Sequence, residues 1–119
     1  MGNINTKVNV SVVQEQVKAD PVVMYTKTMC TFCNKAKDVF ADVRIPYKEV
    51  NLDSLKVERP DDYLGIVNGL VYNTRQTSVP QIFICGRFIG GYAELDALRN
   101  SGHLLEAVAQ CTGENSPRE

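Results

Sequence analysis

Histidine is nearly missing from this 119-residue sequence: His103 is the single example, and it heads a segment expected to form the last helix. That position leaves no imidazole base beside any other candidate nucleophile, and His103 reads as a helix-start residue. An excess of charge of one sign is missing too. Thirteen basic and fourteen acidic side chains leave a net charge of −1, so there is no basic footprint for nucleic acid. No apolar run approaches the length of a membrane span, and no apolar signal core follows the start. The expected compartment is therefore cytoplasmic. No internal repeat is visible. Apolar content of 44% and charged content of 23% fit an ordinary globular protein, and the length fits one domain.

Against this background four cysteines stand out. Without a secretion signal they argue against a structural disulfide framework and for redox or metal chemistry. Cys30-Thr31-Phe32-Cys33 is a C-x-x-C, which alone is half a zinc site. Cys85 and Cys111 do not supply a matching second half, which disfavours structural zinc. Cys85 follows a strand-like run and reads as an inert core or edge thiol.

The C-x-x-C sits where one periodicity gives way to another. Pro21 to Thr26 is rich in β-branched and aromatic residues and predicts a buried strand. From Thr31 onward Cys33, Ala36, Phe40 and Val43 recur at helical spacing, opposite Lys35, Lys37, Asp38 and Asp42. Cys30 thus falls at a helix N-terminus, where unpaired backbone N–H groups and the helix dipole favour thiolate. Lys27 adds a positive charge three residues upstream, or is simply a solvated lysine. Phe32 fits either a binding wall or plain packing beside the thiol.

The rest of the chain reads in order. Residues 1–10 form an expected flexible tail, residues 11–111 the domain, and residues 112–119 a disordered tail. The start Met1-Gly2-Asn3-Ile4-Asn5-Thr6 fits an N-myristoylation pattern, which makes Gly2 a candidate lipid site as well as part of a frayed end. One acyl chain gives only reversible membrane contact. Ser11–Lys18 predicts a short helix with Val12, Val13 and Val17 on one side. Arg44-Ile45-Pro46 closes the second helix, and Tyr47–Leu52 alternates as a strand, so a parallel, right-handed βαβ unit is expected. Asp53–Arg59 is polar. Pro60-Asp61-Asp62 opens a helix with Tyr63, Leu64, Val67, Leu70 and Val71 inward, weakened by Gly65 and Gly69. Gln81–Cys85 predicts a strand, with a turn at Gly86-Arg87 and a return over Phe88-Ile89. Pro80 is tolerated at the strand's head. Helices follow over Glu94–Asn100, with Leu95 and Leu98 inward, and over His103–Gln110.

Lys27 through Cys33, then Ser78-Val79-Pro80, then Gly86-Arg87-Phe88-Ile89-Gly90-Gly91, resemble the motifs of a dithiol glutaredoxin. The resemblance runs from Val12 to Cys111. It extends to the glutaredoxin-2-like group in the start Met-Gly-Asn and in the lack of proline inside the C-x-x-C. Thioredoxins are less similar, since they carry tryptophan before the first cysteine and this chain has none. The resemblance implies a thioredoxin-like α/β fold, a four-stranded mixed sheet flanked by about five helices, with Pro80 cis and facing Cys30. It implies a glutathione site built from Lys27, Phe32, Gln76, Val79 and Pro80, with Gly91, Ala93 and Glu94 receiving the γ-glutamyl end. Two departures stand out. Ala93 replaces a hydroxyl or carboxylate and Glu94 replaces a shorter Asp, although backbone N–H groups there can still bind a carboxylate. The segment between Asp53 and Pro80 is also longer than the family pattern and lacks its Thr-Gly.

The implied function is glutathione-dependent reduction of protein disulfides and glutathione mixed disulfides, with Cys30 as nucleophile and Cys33 as resolving thiol. Expected partners are glutathione and glutathionylated or disulfide-containing proteins, and the chain is expected to be mostly monomeric. Cys111, near the end, is expected to be exposed and open to glutathionylation or cross-linking. The alternative is a [2Fe–2S] cluster bridging two subunits, with Cys30 of each and two glutathiones as ligands.

Overall fold

Val22–Thr26 forms strand β1, and all five of its residues are buried. A strand with no solvent face must be covered by helices on both sides. The computed structural model, which describes residues 7–113, shows how. In chain order the elements are α1 (Val10–Lys18), β1, α2 (Thr31–Val43), β2 (Lys48–Asn51), α3 (Leu52–Glu58), α4 (Pro60–Thr74), β3 (Gln81–Ile84), β4 (Arg87–Gly90), α5 (Tyr92–Ser101) and α6 (Leu104–Thr112). The sheet order is β2-β1-β3-β4. β1 is parallel to β2, as the intervening α2 requires, and antiparallel to β3, which returns through β4. This is the thioredoxin-like arrangement.

Alternation along β1 divides the core. Val22 and Met24 face Ala36 and Phe40 of α2, Leu95 of α5, and Leu104 and Val108 of α6. Val23 and Tyr25 face Val13 and Val17 of α1, Leu55 of α3, and Ile66 and Leu70 of α4. Each such side chain contributes roughly 1.5–3 kcal/mol when fully buried. Burial also pushes the Tyr25 phenol well above its ordinary range, and its O–H donates to Gln16 Oε1.

Several expectations change. Leu52 leaves β2 and begins α3 with Leu55 buried, so the polar Asp53–Arg59 segment is a helix through Glu58 with Arg59 as its C-cap, and the described residues hold six helices. Asn51 starts α3 by accepting the Ser54 N–H at 3.0 Å. In α1 only Val13 and Val17 are buried, while Val12 is exposed. In α4 the buried residues are Gly65, Ile66, Gly69 and Leu70, and Leu64 is exposed. The two glycines do not weaken this helix's place in the fold; they let α1 approach. A Cβ on Gly69 would stand 2.7 Å from the Asn9 carbonyl oxygen. The β3–β4 turn is centred on Cys85-Gly86, not Gly86-Arg87, with φ of 52° and 80°. α5 starts at Tyr92, and α6 extends through Thr112, so the C-terminal helix is longer than expected. Cys85 is not a free core thiol and Cys111 is not a free surface thiol: a disulfide joins them. The expected tail residues 1–6 and 114–119, including Gly2, lie outside the described residues.

Candidate active site

β1 ends at Thr26, and the chain turns through Thr28 and Met29 before α2 begins. Asp53 accepts the Thr28 N–H at 2.8 Å, which ties this loop to α3. Met29 has a left-handed backbone (φ 59°) and is 95% exposed. The next residue, Cys30, is the N-cap of α2, and its sulfur accepts the Cys33 N–H at 3.1 Å. That contact is the one a thiolate would keep, because the first-turn N–H groups of a helix have no partner within it. Cys33, one turn on, is 1% exposed, whereas Cys30 is half-buried. The two are joined by a disulfide.

Facing Cys30 is the loop before β3. The Val79-Pro80 bond is cis, and the Val79 carbonyl oxygen lies 3.9 Å from Cys30 Sγ. Side-chain amides hold the loop. Gln76 Nε2 donates to the carbonyls of Ser78 (3.0 Å) and Pro80 (3.3 Å). Buried Gln81 donates from Nε2 to the Gln76 carbonyl (2.6 Å) and the Ser78 carbonyl (3.1 Å). Gln76 therefore acts on the site through the loop's shape.

A cleft of about 260 Å³ opens between this loop and the start of α5, lined by Phe32, Gln76, Ser78, Val79, Pro80 and residues 91–94. Phe32 is 55% exposed and stacks on Tyr92 with centroids 6.0 Å apart, and Lys35 Nζ sits 5.4 Å from the Phe32 ring centre. Gly91 caps α5, where a Cβ would come 3.3 Å from the Pro80 carbonyl oxygen. The α5 N-terminus thus points backbone N–H groups and a dipole into the cleft, a setting suited to a carboxylate.

A half-buried cysteine sulfur at a helix N-cap, opposite a cis-proline loop and beside a second helix N-terminus, is a definite constellation. A Glutaredoxin family model matches residues 22–89, more than half of the chain. The chain belongs to the glutaredoxin family. Mouse "Glutaredoxin-2, mitochondrial" is 37% identical over 107 residues, covering 90% of this chain and 65% of the relative. This chain thus spans about two thirds of that relative's length. Glutaredoxin-2 of Schizosaccharomyces pombe is 33% identical over 105 residues, covering 88% of this chain and 91% of the relative. Among solved structures, a buckwheat glutaredoxin–glutathione complex superposes with a TM-score of 0.76 at 28% identity, covering 87% of this chain and 89% of that one.

Of the residues predicted from sequence, Phe32, Gln76, Val79, Pro80, Gly91, Ala93 and Glu94 meet in one cleft, and Cys30 faces its Val79 edge. Lys27 is exposed at the end of β1, and the cleft lining does not include it. Glu94 turns back on its own helix start: Oε1 accepts the Gly91 N–H at 2.8 Å. Its longer side chain is spent on capping, while Ala93 leaves the first turn open. Sequence reasoning missed Tyr92, Ser78 and Lys35. Two signals were there: Tyr92 directly follows Gly90-Gly91, and Lys35 lies three residues after Phe32 on α2.

Below the site, the buried Thr26 hydroxyl donates to Glu49 Oε2 at 2.6 Å, and Lys37 Nζ of α2 pairs with the same oxygen at 2.8 Å. Burial alone would raise the Glu49 carboxyl, but hydrogen bonds from Lys37 and Thr26, with the Lys37 charge, outweigh it and hold it below the usual carboxylate range. This group ties the end of β1 to β2 and to the helix that carries Cys30.

Proposed function

We propose that this protein is a glutathione-dependent thiol–disulfide oxidoreductase, with Cys30 as nucleophile and Cys33 as resolving thiol. The observation that carries this reading is Cys30 as N-cap of α2, accepting the Cys33 N–H and facing the Val79 carbonyl across the cis-proline loop. In the reduced protein the Cys30 thiolate attacks the glutathione sulfur of a mixed disulfide. A Cys30–glutathione bond forms and the substrate thiolate leaves, taking a proton from solvent. A second glutathione attacks that bond, releasing glutathione disulfide and restoring Cys30. For protein disulfides, Cys33 attacks the Cys30 mixed disulfide instead, and the Cys30–Cys33 bond is the product.

In this reading glutathione lies in the cleft between Phe32 and Pro80. Val79 offers backbone hydrogen bonds to its cysteine portion, and the α5 N-terminus at Gly91–Ala93 receives its γ-glutamyl carboxylate. Gln76 shapes the loop, Glu94 caps α5, and Lys27 supplies positive charge at the rim. Similarity to a buckwheat glutaredoxin solved in complex with glutathione supports glutathione as the co-substrate. Cytoplasmic residence, and reversible membrane contact through an acyl group on Gly2, belong to the same proposal and rest on the sequence pattern.

The test is turnover of a small glutathionylated disulfide, coupled to glutathione reductase, by wild type, Cys33→Ser and Cys30→Ser. Activity in the first two and background in the third is expected. A dead Cys33→Ser protein overturns the monothiol route. Inactive wild type that turns coloured on reconstitution with iron, sulfide and glutathione shifts the function to cluster carriage.

A further inference from the structure

The second disulfide lies at the other end of the sheet from Cys30. Val22, the first residue of β1, pairs with Ile84, and the Cys85 N–H donates to the Pro21 carbonyl at 2.7 Å. β1 runs away from this point toward Thr26 and the active site. Cys85 and Gly86 are the central residues of the β3–β4 turn, both with left-handed backbone. Such a turn favours Asn-Gly, and cysteine gains nothing there from local backbone preference. What Cys85 does at this position is bond to Cys111 in the last turn of α6.

The two sulfurs differ in environment. Cys111 is exposed and Cys85 half-buried. The carbonyl oxygens of Ala107 and Val108 each stand 3.5 Å from Cys85 Sγ, so a thiol released there has acceptors in place. Beside the pair is a cleft of about 240 Å³ lined by Lys18, Ala19, Asp20, Pro21 and the two cysteines. The Lys18 stem lies over the turn, where a Cβ on Gly86 would meet its Cγ at 3.0 Å. One cation and one carboxylate beside an accessible disulfide suit a small zwitterionic thiol.

We propose that Cys85–Cys111 is a second thiol-exchange site, opened at Cys111 by a small thiol of the glutathione class, and that opening frees the last turn of α6. The incoming thiolate bonds to Cys111 Sγ and the Cys85–Cys111 bond breaks. Cys85 leaves as thiolate and takes a proton from solvent, and the S–H so formed donates a hydrogen bond toward the Ala107 and Val108 carbonyl oxygens. A second thiol attacks the mixed disulfide, so two small thiols become one disulfide as the protein pair is reduced. Glutathione disulfide reverses the sequence. The consequence is structural, because Leu105, Val108 and Ala109 of α6 wall a cavity of about 360 Å³ against Val22, Ile45 and Tyr47. Freeing the end of α6 loosens that wall. The proposal does not depend on Cys30 chemistry.

The test uses the full-length Cys30→Ser/Cys33→Ser protein, equilibrated in buffers of varied glutathione to glutathione disulfide ratio, then acid-quenched, alkylated and mapped by peptide mass spectrometry. The pair is expected to open in the folded protein, with the glutathione adduct on Cys111 rather than Cys85. Hydrogen exchange at the end of α6 should accelerate at least about tenfold. If the double variant does not fold, wild type gives the same reading, since trypsin cleavage at Lys35, Arg75, Arg87 and Arg99 puts the Cys30–Cys33 pair, Cys85 and Cys111 on separate peptides. A pair that stays oxidised at every ratio, or adducts that form equally on Cys85, overturns the proposal. Lys18→Glu should slow opening by glutathione about fivefold, and opening by mercaptoethanol, whose attacking thiolate carries one negative charge against a net two for glutathione, clearly less. Equal slowing of both thiols overturns recognition by charge.

Discussion

The two cysteine pairs of this protein use the same bond for opposite purposes. Cys30 and Cys33 are three residues apart on one helix turn, whereas Cys85 and Cys111 are 26 apart and join a hairpin to the last helix. Closing a loop of a few residues takes little entropy from the unfolded chain, so the first bond can open and close at small cost to the fold. The second encloses strand β4, helix α5 and most of α6, and a loop of that size corresponds to about 3–3.5 kcal/mol of stabilisation. Their surroundings differ as well. Cys30 has a helix N-terminus to stabilise a thiolate, while the hydrogen-bonding groups nearest Cys85 are carbonyls, which favour a protonated thiol. One pair is arranged to react and the other to hold, with reaction at the second depending on access at Cys111.

Mutations can sharpen or break this contrast. The largest effect on activity is expected for Cys30→Ser, which should bring turnover of a glutathionylated disulfide to the uncatalysed level in the coupled assay. Removal of the distal bond should act on the other axis. Cys111→Ser is expected to cost about 2–4 kcal/mol in urea unfolding and leave turnover at 25 °C within about twofold. A stability loss in Cys33→Ser as large as in Cys111→Ser would erase the contrast. A smaller effect is expected for Tyr92→Ala, which removes the stack on Phe32. KM for glutathione should rise about two- to tenfold, with the urea midpoint nearly unchanged.

The smallest effect concerns Glu49. Its folded carboxyl titrates below its unfolded value, so the stability it contributes is fully present above the unfolded carboxylate range. It is lost as pH falls through the lowered folded value. Urea midpoints followed into acid should therefore fall less steeply for Glu49→Gln than for wild type. Parallel curves would show that Lys37 and Thr26 hold α2 without help from this charge.

How far the sequence carried this picture depends on the range of the interactions involved. Strand β1, the helix from Thr31, the β3–β4 hairpin and the active cysteine pair were readable because each rests on neighbours within a few residues. Helix α3 was not, because its apolar positions in seven residues are Leu52, Leu55 and Val57, too few to set a period, and Leu52 looked like the end of a strand. Gly65 and Gly69 looked like flaws in α4 because the partner that needs their missing side chains, Asn9, is more than fifty residues away. A separation of 26 residues likewise hid the Cys85–Cys111 bond, and a compartment argument pointed away from it.

By itself, then, the sequence determined the reactive end of the molecule: a thiol at a strand-to-helix junction, a proline loop, and a pair of glycines before a helix. These are local dictates of backbone geometry and helix polarity. Only the tertiary structure decided that Tyr92 joins Phe32 and Lys35 in one wall and that Cys85 reaches Cys111. Those outcomes depend on which surfaces meet when β1 is covered on both faces, and the choice of partner, unlike periodicity, leaves no local mark in the chain.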